Sequence, residues 1–262
     1  MRPSPSRAEW LLLLACAALL LLALLAPPMA QPGHLHDFAD RRAWLGLPCA
    51  LDVLSNLLFA GFGAWGLAAL RRSPRLPMQG TERACAALFF AGLLVTAAGS
   101  AWYHYALDDI GLALDRAAMS MAFAGLLGLL AAGRVGHRAG RTLAVALLVL
   151  APLAVFAWLR TGNIVPWAVV QFGGMALVLL LLATTRSLPG ALPVRWGFVL
   201  AAYALAKVFE LGDHAVFGAT GELLSGHTLK HGIAAFAAWP VIAALAAHGR
   251  PQNPRVPVAR AA

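Results

Sequence analysis

Residues 164–184 read IVPWAVVQFGGMALVLLLLAT, 21 residues with one glutamine and no charge. A helix that crosses the hydrocarbon core of a bilayer needs about 20 such residues. Seven more runs of this kind flank it. They are Trp10 to Ala26, Cys49 to Leu70, Ala84 to His104, Ile110 to Ala132, Thr142 to Leu159, Val194 to Leu211 and Gly226 to His248. The breaks between them carry turn signals: Arg71-Arg72-Ser73-Pro74, Gly133-Arg134, Arg160-Thr161-Gly162-Asn163 and Leu188-Pro189-Gly190. The pattern predicts an all-α polytopic membrane bundle of seven core transmembrane helices with an extra N-terminal helix.

The rest of the composition agrees. The 262-residue chain is 61% hydrophobic and 12% charged, with a mean hydropathy of +0.75. Soluble domains average about 45–50% apolar and about 25% charged. A soluble enzyme, a disordered chain and a coiled coil are excluded. The net charge of +9 does not point to nucleic acid, because the arginines sit in short loops where positive charge sets topology. Cys16, Cys49 and Cys85 are too few and odd in number for a disulfide framework. Cys16 and Cys85 read as small residues facing lipid or core.

The chain divides into an N-terminal helix or signal anchor (1–30), an outer loop (31–48), a seven-helix domain (49–248) and a cytoplasmic tail (249–262). The first run has features of a signal peptide, with Arg2 and Arg7 before it and Ala26-Pro27-Pro28-Met29-Ala30 after it. Its apolar stretch exceeds the usual ~7–15 residues and Pro28 suits a cleavage site poorly, which favours a retained helix.

Basic residues orient the bundle. With the N-terminus inside, the inner segments hold Arg2, Arg7, Arg71, Arg72, Arg75, Arg83, Arg134, Arg138, Arg141, Arg186, Arg195, Arg250, Arg255 and Arg260. The outer segments hold only Arg41, Arg42 and Arg160. Arg116, Lys207 and Lys230 remain at membrane depth. The asymmetry predicts both termini inside, or an outside N-terminus if the first helix is cleaved.

Ionisable groups inside spans are costly and mark functional sites. Here they are Asp52, His104, Asp115, Arg116, Lys207, Glu210, His227, Lys230 and His231. In the predicted topology Ser100 and His104 end a helix at the outer side. Asp115 lies in the first turns of the next helix, and His227 and His231 in the first turns of the last. Five residues from three helices thus share one depth. His227 and His231, four apart, share a helix face about 6 Å apart, and His104 supplies a third nitrogen. Three protein ligands with one open position is the arrangement of a catalytic zinc. Asp115 can move a proton, and Ser100, four residues before His104, can hydrogen-bond a reacting oxygen. A lone HxxxH at a helix end can also simply meet interfacial water, so the weight rests on the set.

Together, GSAWYH (residues 99–104), the eleven-residue step from His104 to Asp115, SGHTLKH (225–231) and DVLSNLLF (52–59) resemble the alkaline ceramidase family. That family belongs to a group of seven-helix membrane hydrolases that includes the progestin and adiponectin receptors. The resemblance covers about residues 38–248. It implies a zinc-dependent intramembrane amidase that splits a ceramide or related N-acyl lipid into a sphingoid base, or amine, and a fatty acid. His104, His227 and His231 would bind zinc, Asp115 would act as general base and acid, and Ser100 would steady the oxyanion. The chain departs from the animal enzymes before the first core helix. There DFADRRAWLGLPCALD carries Asp37, Asp40 and Asp52 with two arginines, and the calcium site of those enzymes is not carried over. Short loops and an Ala/Leu/Arg/Gly bias resemble a bacterial member, in the inner membrane with its site towards the outer, periplasmic leaflet. The expected partners are a lipid substrate and the bilayer.

Two other classes compete. A proton- or ion-coupled transporter would use the same groups as a relay, but no internal repeat or pair of broken helices stands out. A receptor-like protein would hold a metal without hydrolysis. Elsewhere, Lys207 and Glu210 read as an ion pair, Lys230 as facing away from the histidines and snorkelling to the surface, and His34, His36 and Asp37 as a solvated loop. Trp44, Trp102, Tyr103 and Trp167 read as an interfacial aromatic belt.

Overall fold

The computed structural model describes residues 4–33, 36–73 and 80–248. The expected tail (249–262), Arg2, His34 and Arg75 lie outside the described residues. All regular elements among the described residues are helices: α1 (Arg7–Leu25), α2 (Ala50–Ser55), α3 (Leu57–Arg72), α4 (Gly80–Tyr105), α5 (Asp109–Arg134), α6 (His137–Thr161), α7 (Val165–Ala168), α8 (Gly174–Thr184), α9 (Trp196–Leu211), α10 (Asp213–Ala219), α11 (Gly226–Phe236) and α12 (Trp239–His248). A π-helical turn, Val169–Gly173, joins α7 to α8. Seven segments are long and apolar enough to cross a membrane: α1, α2 with α3, α4, α5, α6, α7 with α8, and α11 with α12. The chain is an all-α membrane bundle. The remaining expected run, Val194 to Leu211, is not among these seven. α9 starts at Trp196, two residues after the run begins, and its 16 residues span about 24 Å at 1.5 Å per residue.

Two further runs are interrupted. α2 and α3 meet at Asn56, whose Nδ2 donates to the Asp52 carbonyl at 2.8 Å, where the Ser55 hydroxyl also donates at 2.9 Å. Side chains that bond back to a carbonyl in this way bend helices. α11 and α12 are separated at Ala237 and Ala238, just before Pro240, which cannot donate to the helix.

The most extensive packing is between α4 and α5. Small residues let the backbones approach. A Cβ at Gly92 would lie 2.4 Å from the Ala122 nitrogen, and one at Gly125 would lie 2.2 Å from the Phe89 nitrogen. In lipid, where apolar side chains gain little from burial, such close van der Waals packing holds helices together. Phe90, Leu129, Leu130, Leu181, Val241 and Leu245 form the centre of the main core. α1 lies at the edge, with Leu19 against Gly173 and most of its surface facing outward.

Contacts sort the connections into two ends, as the arginine count does. At one end, the Met29 amide bonds Asn163 Oδ1 (3.1 Å), His36 meets Tyr103 and Asp109, and Arg42 donates to the Leu223 carbonyl. At the other, Arg83 donates to the Leu70 and Ser73 carbonyls, and the Leu192 amide to Glu82. Arg134 donates to carbonyls of Leu181, Leu182 and Thr185 at the end of α8. Arginine at the C-terminus of a helix satisfies its last carbonyls and its dipole. The same arginines that orient the chain therefore also cap α3 and α8.

Candidate metal centre

The site forms where α4 ends and α5 and α11 begin. The sequence Ser225-Gly226-His227-Thr228 starts α11 by a local rule. Ser225 Oγ accepts the Thr228 amide (3.0 Å) as N-cap. The His227 amide, another orphan donor of the first turn, bonds Asp213 Oδ1 at 2.7 Å. Asp213 is buried, and its other oxygen accepts the Ala39 amide at 2.9 Å. One carboxylate thus ties the start of α11 to the loop before α2. Thr228 Oγ1 donates to Asp52 Oδ1 at 2.6 Å, which fixes the rotation of α11 against α2.

That rotation turns His227 and His231 towards the last turn of α4, where His104 lies. All three imidazoles are buried, and one ring nitrogen from each lies within 4.8 Å of the others. His104 Nε2 and His227 Nε2 are 3.2 Å apart. Two nitrogens on a tetrahedral zinc, at 2.0–2.1 Å from it, are about 3.3 Å apart. The triad can hold a metal ion.

The tautomer of His231 follows from its neighbours. Ser55 Oγ lies 2.7 Å from His231 Nδ1. The only Ser55 proton goes to the Asp52 carbonyl, so Ser55 accepts from Nδ1–H. The remaining lone pair is on Nε2, which is buried with no hydrogen-bond partner. An orphaned, buried lone pair is costly, and a cation at the triad removes the cost. Metal-binding histidines are commonly oriented in this way through their second nitrogen. His104 differs, since its Nδ1 is buried and unbonded.

Asp115, in the second turn of α5, is also buried. Ser100 lies close to its carboxyl, whose Oδ1 has no hydrogen-bond partner. The structure therefore brings His104, His227 and His231 together, and links Ser100 with Asp115 as α4 and α5 pack. Phe38 covers the site, with its ring 4.8 Å from that of His104 and 4.5 Å from that of His227.

Several expectations change. Lys230 does not face away. Its Nζ lies 3.0 Å from His227 Nε2 and 3.3 Å from Glu210 Oε1, because residues three apart on a helix are neighbours. Lys207 pairs with Glu210 as expected, and Lys230 makes the pair a trio. Tyr103 and Trp167 are buried and form no belt, whereas Trp44 and Trp102 are exposed. Tyr103 Oη meets His36 Nδ1 at 3.0 Å. Arg116 stacks over Trp158, 4.3 Å from the ring centroid, on a face away from Asp115. His36 is not simply solvated, since its Nε2 lies 3.2 Å from Asp109. Asp40 is held by Arg42 through two bonds of 2.8 and 2.7 Å, and this charged fork keeps its carboxyl below the usual range. Ser55, Phe38, Asp213 and Lys230 were not among the candidate ligands or catalytic groups. Only Lys230 had a usable signal, its spacing from His227.

No family model matches the chain, and no curated protein matches it.

Proposed function

We propose that the protein is a zinc-dependent intramembrane hydrolase that cleaves the amide of a ceramide or a related N-acyl lipid. The observation that carries this reading is the buried triad of His104, His227 and His231, with a further buried carboxyl, Asp115, close to Ser100 where α4 packs on α5. His104, His227 and His231 would hold the zinc and leave it able to take an oxygen of water or substrate. Its membrane setting suits an amphiphilic substrate. The resemblance to the alkaline ceramidases, carried by the same five residues, supplies the substrate class. The arginine distribution supports placing the site towards the outer leaflet of a bacterial inner membrane.

Zinc held by the triad supplies Lewis acidity, which polarises an acyl carbonyl and acidifies water. The chain's own groups do the proton work. Asp115 takes a proton from the attacking water as the C–O bond forms, and returns it to the amine nitrogen as the C–N bond breaks. Ser100 has one proton to give. It serves the ionised Asp115 first; once Asp115 is protonated, that proton is free for the oxyanion. Phe38 and the buried surroundings keep bulk water out, which strengthens each of these interactions.

The test is metal content and N-acyl hydrolysis of protein purified in mild detergent, comparing wild type with His227→Ala. The expected result is about one zinc per chain and measurable fatty-acid release, both lost in the variant. Folded wild type with no metal, or proton-coupled flux in proteoliposomes without hydrolysis, would sink the proposal.

A further inference from the structure

We propose that Lys230 anchors the ligand's oxygen: when the triad takes a cation, its ammonium leaves His227 and hydrogen-bonds a carbonyl or carboxylate oxygen brought to the site. The proposal deepens the hydrolase reading and rests on it for the ligand class, an acyl group.

The argument starts from hydrogen-bond capacity. A lysine ammonium has three protons and no lone pair. Lys230 directs its protons at Glu210 Oε1 (3.3 Å) and His227 Nε2 (3.0 Å). The side chain is mostly buried, at 18% exposure, so water cannot readily replace a lost acceptor. A neutral imidazole nitrogen offers one lone pair. His227 Nε2 therefore serves Lys230 or a metal ion, not both. His104 Nε2, 3.2 Å away on the other side, competes for the same lone pair.

Loading the triad resolves that competition and leaves Lys230 short of an acceptor. Its stem remains tethered. Glu210 holds the ammonium near the histidines, and Glu210 is itself held by Lys207 through its other oxygen. One carboxylate thus faces two ammonium groups, leaving Lys230 partly uncompensated. A buried ammonium in that state needs an anionic or strongly dipolar oxygen. It sits one hydrogen bond from a triad nitrogen, so that oxygen is the one a ligand presents to the centre. The fatty-acid carboxylate released by amide hydrolysis has this chemistry, and so does the acyl carbonyl before cleavage.

The experiment uses the full chain in mild detergent, with zinc affinity read by chelator competition and palmitate binding by displacement of a fluorescent fatty acid. Hexadecanol, which has the chain but no carboxylate, is the control. Lys230→Met should bind zinc at least three-fold more tightly than wild type. At equal zinc occupancy it should bind palmitate at least ten-fold more weakly, with hexadecanol unchanged. Lys230→Gln, which keeps one donor arm, should fall between, and it decides the matter if the methionine variant does not fold. Palmitate affinities within two-fold across wild type and variant, or an equal loss for hexadecanol, would overturn the proposal. If wild type cleaves no N-acyl lipid but binds palmitate in a zinc- and Lys230-dependent way, the hydrolase reading falls and the anchor stands. If wild type cleaves the lipid but binds palmitate independently of Lys230, the anchor falls and the hydrolase reading stands.

Discussion

Ser55→Ala removes one oxygen that never touches the metal position, yet it should weaken metal binding. In the native arrangement Ser55 accepts His231 Nδ1–H at 2.7 Å and passes its own proton to the Asp52 carbonyl at 2.9 Å. Alanine leaves Nδ1–H without that acceptor. A buried, unsatisfied donor costs about 1–3 kcal/mol, and loss of an outer partner of a metal-bound histidine costs about 10–100-fold in affinity. The Asp52 carbonyl also lies near His231, and Ser55→Ala frees it of one donor. The imidazole can therefore shift onto it, which places the loss near ten-fold, or about 1.4 kcal/mol. The assay is zinc competition with a chromogenic chelator in mild detergent, alongside a thermal melt without metal. The expected result is a ten-fold weaker affinity with the metal-free melt little changed. An unchanged affinity in Ser55→Ala would refute the tautomer argument. A loss as large as that of His231→Ala would show that the hydroxyl does more than orient the ring.

Three other outcomes follow from the geometry. Asp115→Asn keeps the size and the Ser100 contact but cannot take a proton, so zinc content should stay at one per chain while fatty-acid release falls about 10²–10⁴-fold. Gly125→Ala places a Cβ 2.2 Å from the Phe89 backbone nitrogen; forcing α4 and α5 apart should cost about 1–3 kcal/mol, read as a lower melting temperature in detergent. Asp40 has its carboxyl depressed by Arg42, so its contribution to holding the loop before α2 is present above the unfolded carboxylate range, near pH 4, and is lost as pH falls through the lower folded value. Amide hydrogen-exchange protection in residues 36–48, corrected for the intrinsic pH dependence of exchange, should fall below about pH 4, and Asp40→Asn should show the lower protection at neutral pH as well.

The bundle was readable because hydrophobic length and arginine placement act locally along the chain. The run from Ile164 to Thr184 needs no partner to be recognised as a span. The metal site was partly readable for the same reason: the spacing of His227 and His231, and of Ser100 and His104, is helical arithmetic, and topology set their common depth. What sequence could not show depends on how separate helices rotate against each other. Ser55 touches His231 because Thr228 locks onto Asp52, and nothing local to either segment encodes that pairing. Phe38 reaches the histidines because Asp213 accepts the Ala39 amide from 174 residues away. α9 was overestimated by two residues because the apolar run begins at Val194, whereas the helix begins at Trp196.

The triad draws its nitrogens from two helices, α4 and α11, that each pack mainly on other partners. His104 belongs to α4, which is locked to α5 by glycine contacts, while His227 and His231 ride on α11, which packs chiefly against α9 and more lightly on α2, α3 and α10. A metal ion there is a clasp across a seam. Its binding free energy adds directly to the closure of that seam, about 4 kcal/mol at a thousand-fold excess over Kd. Chelation then acts as an unfastening, and amide hydrogen exchange in α11 becomes a gauge of metal supply.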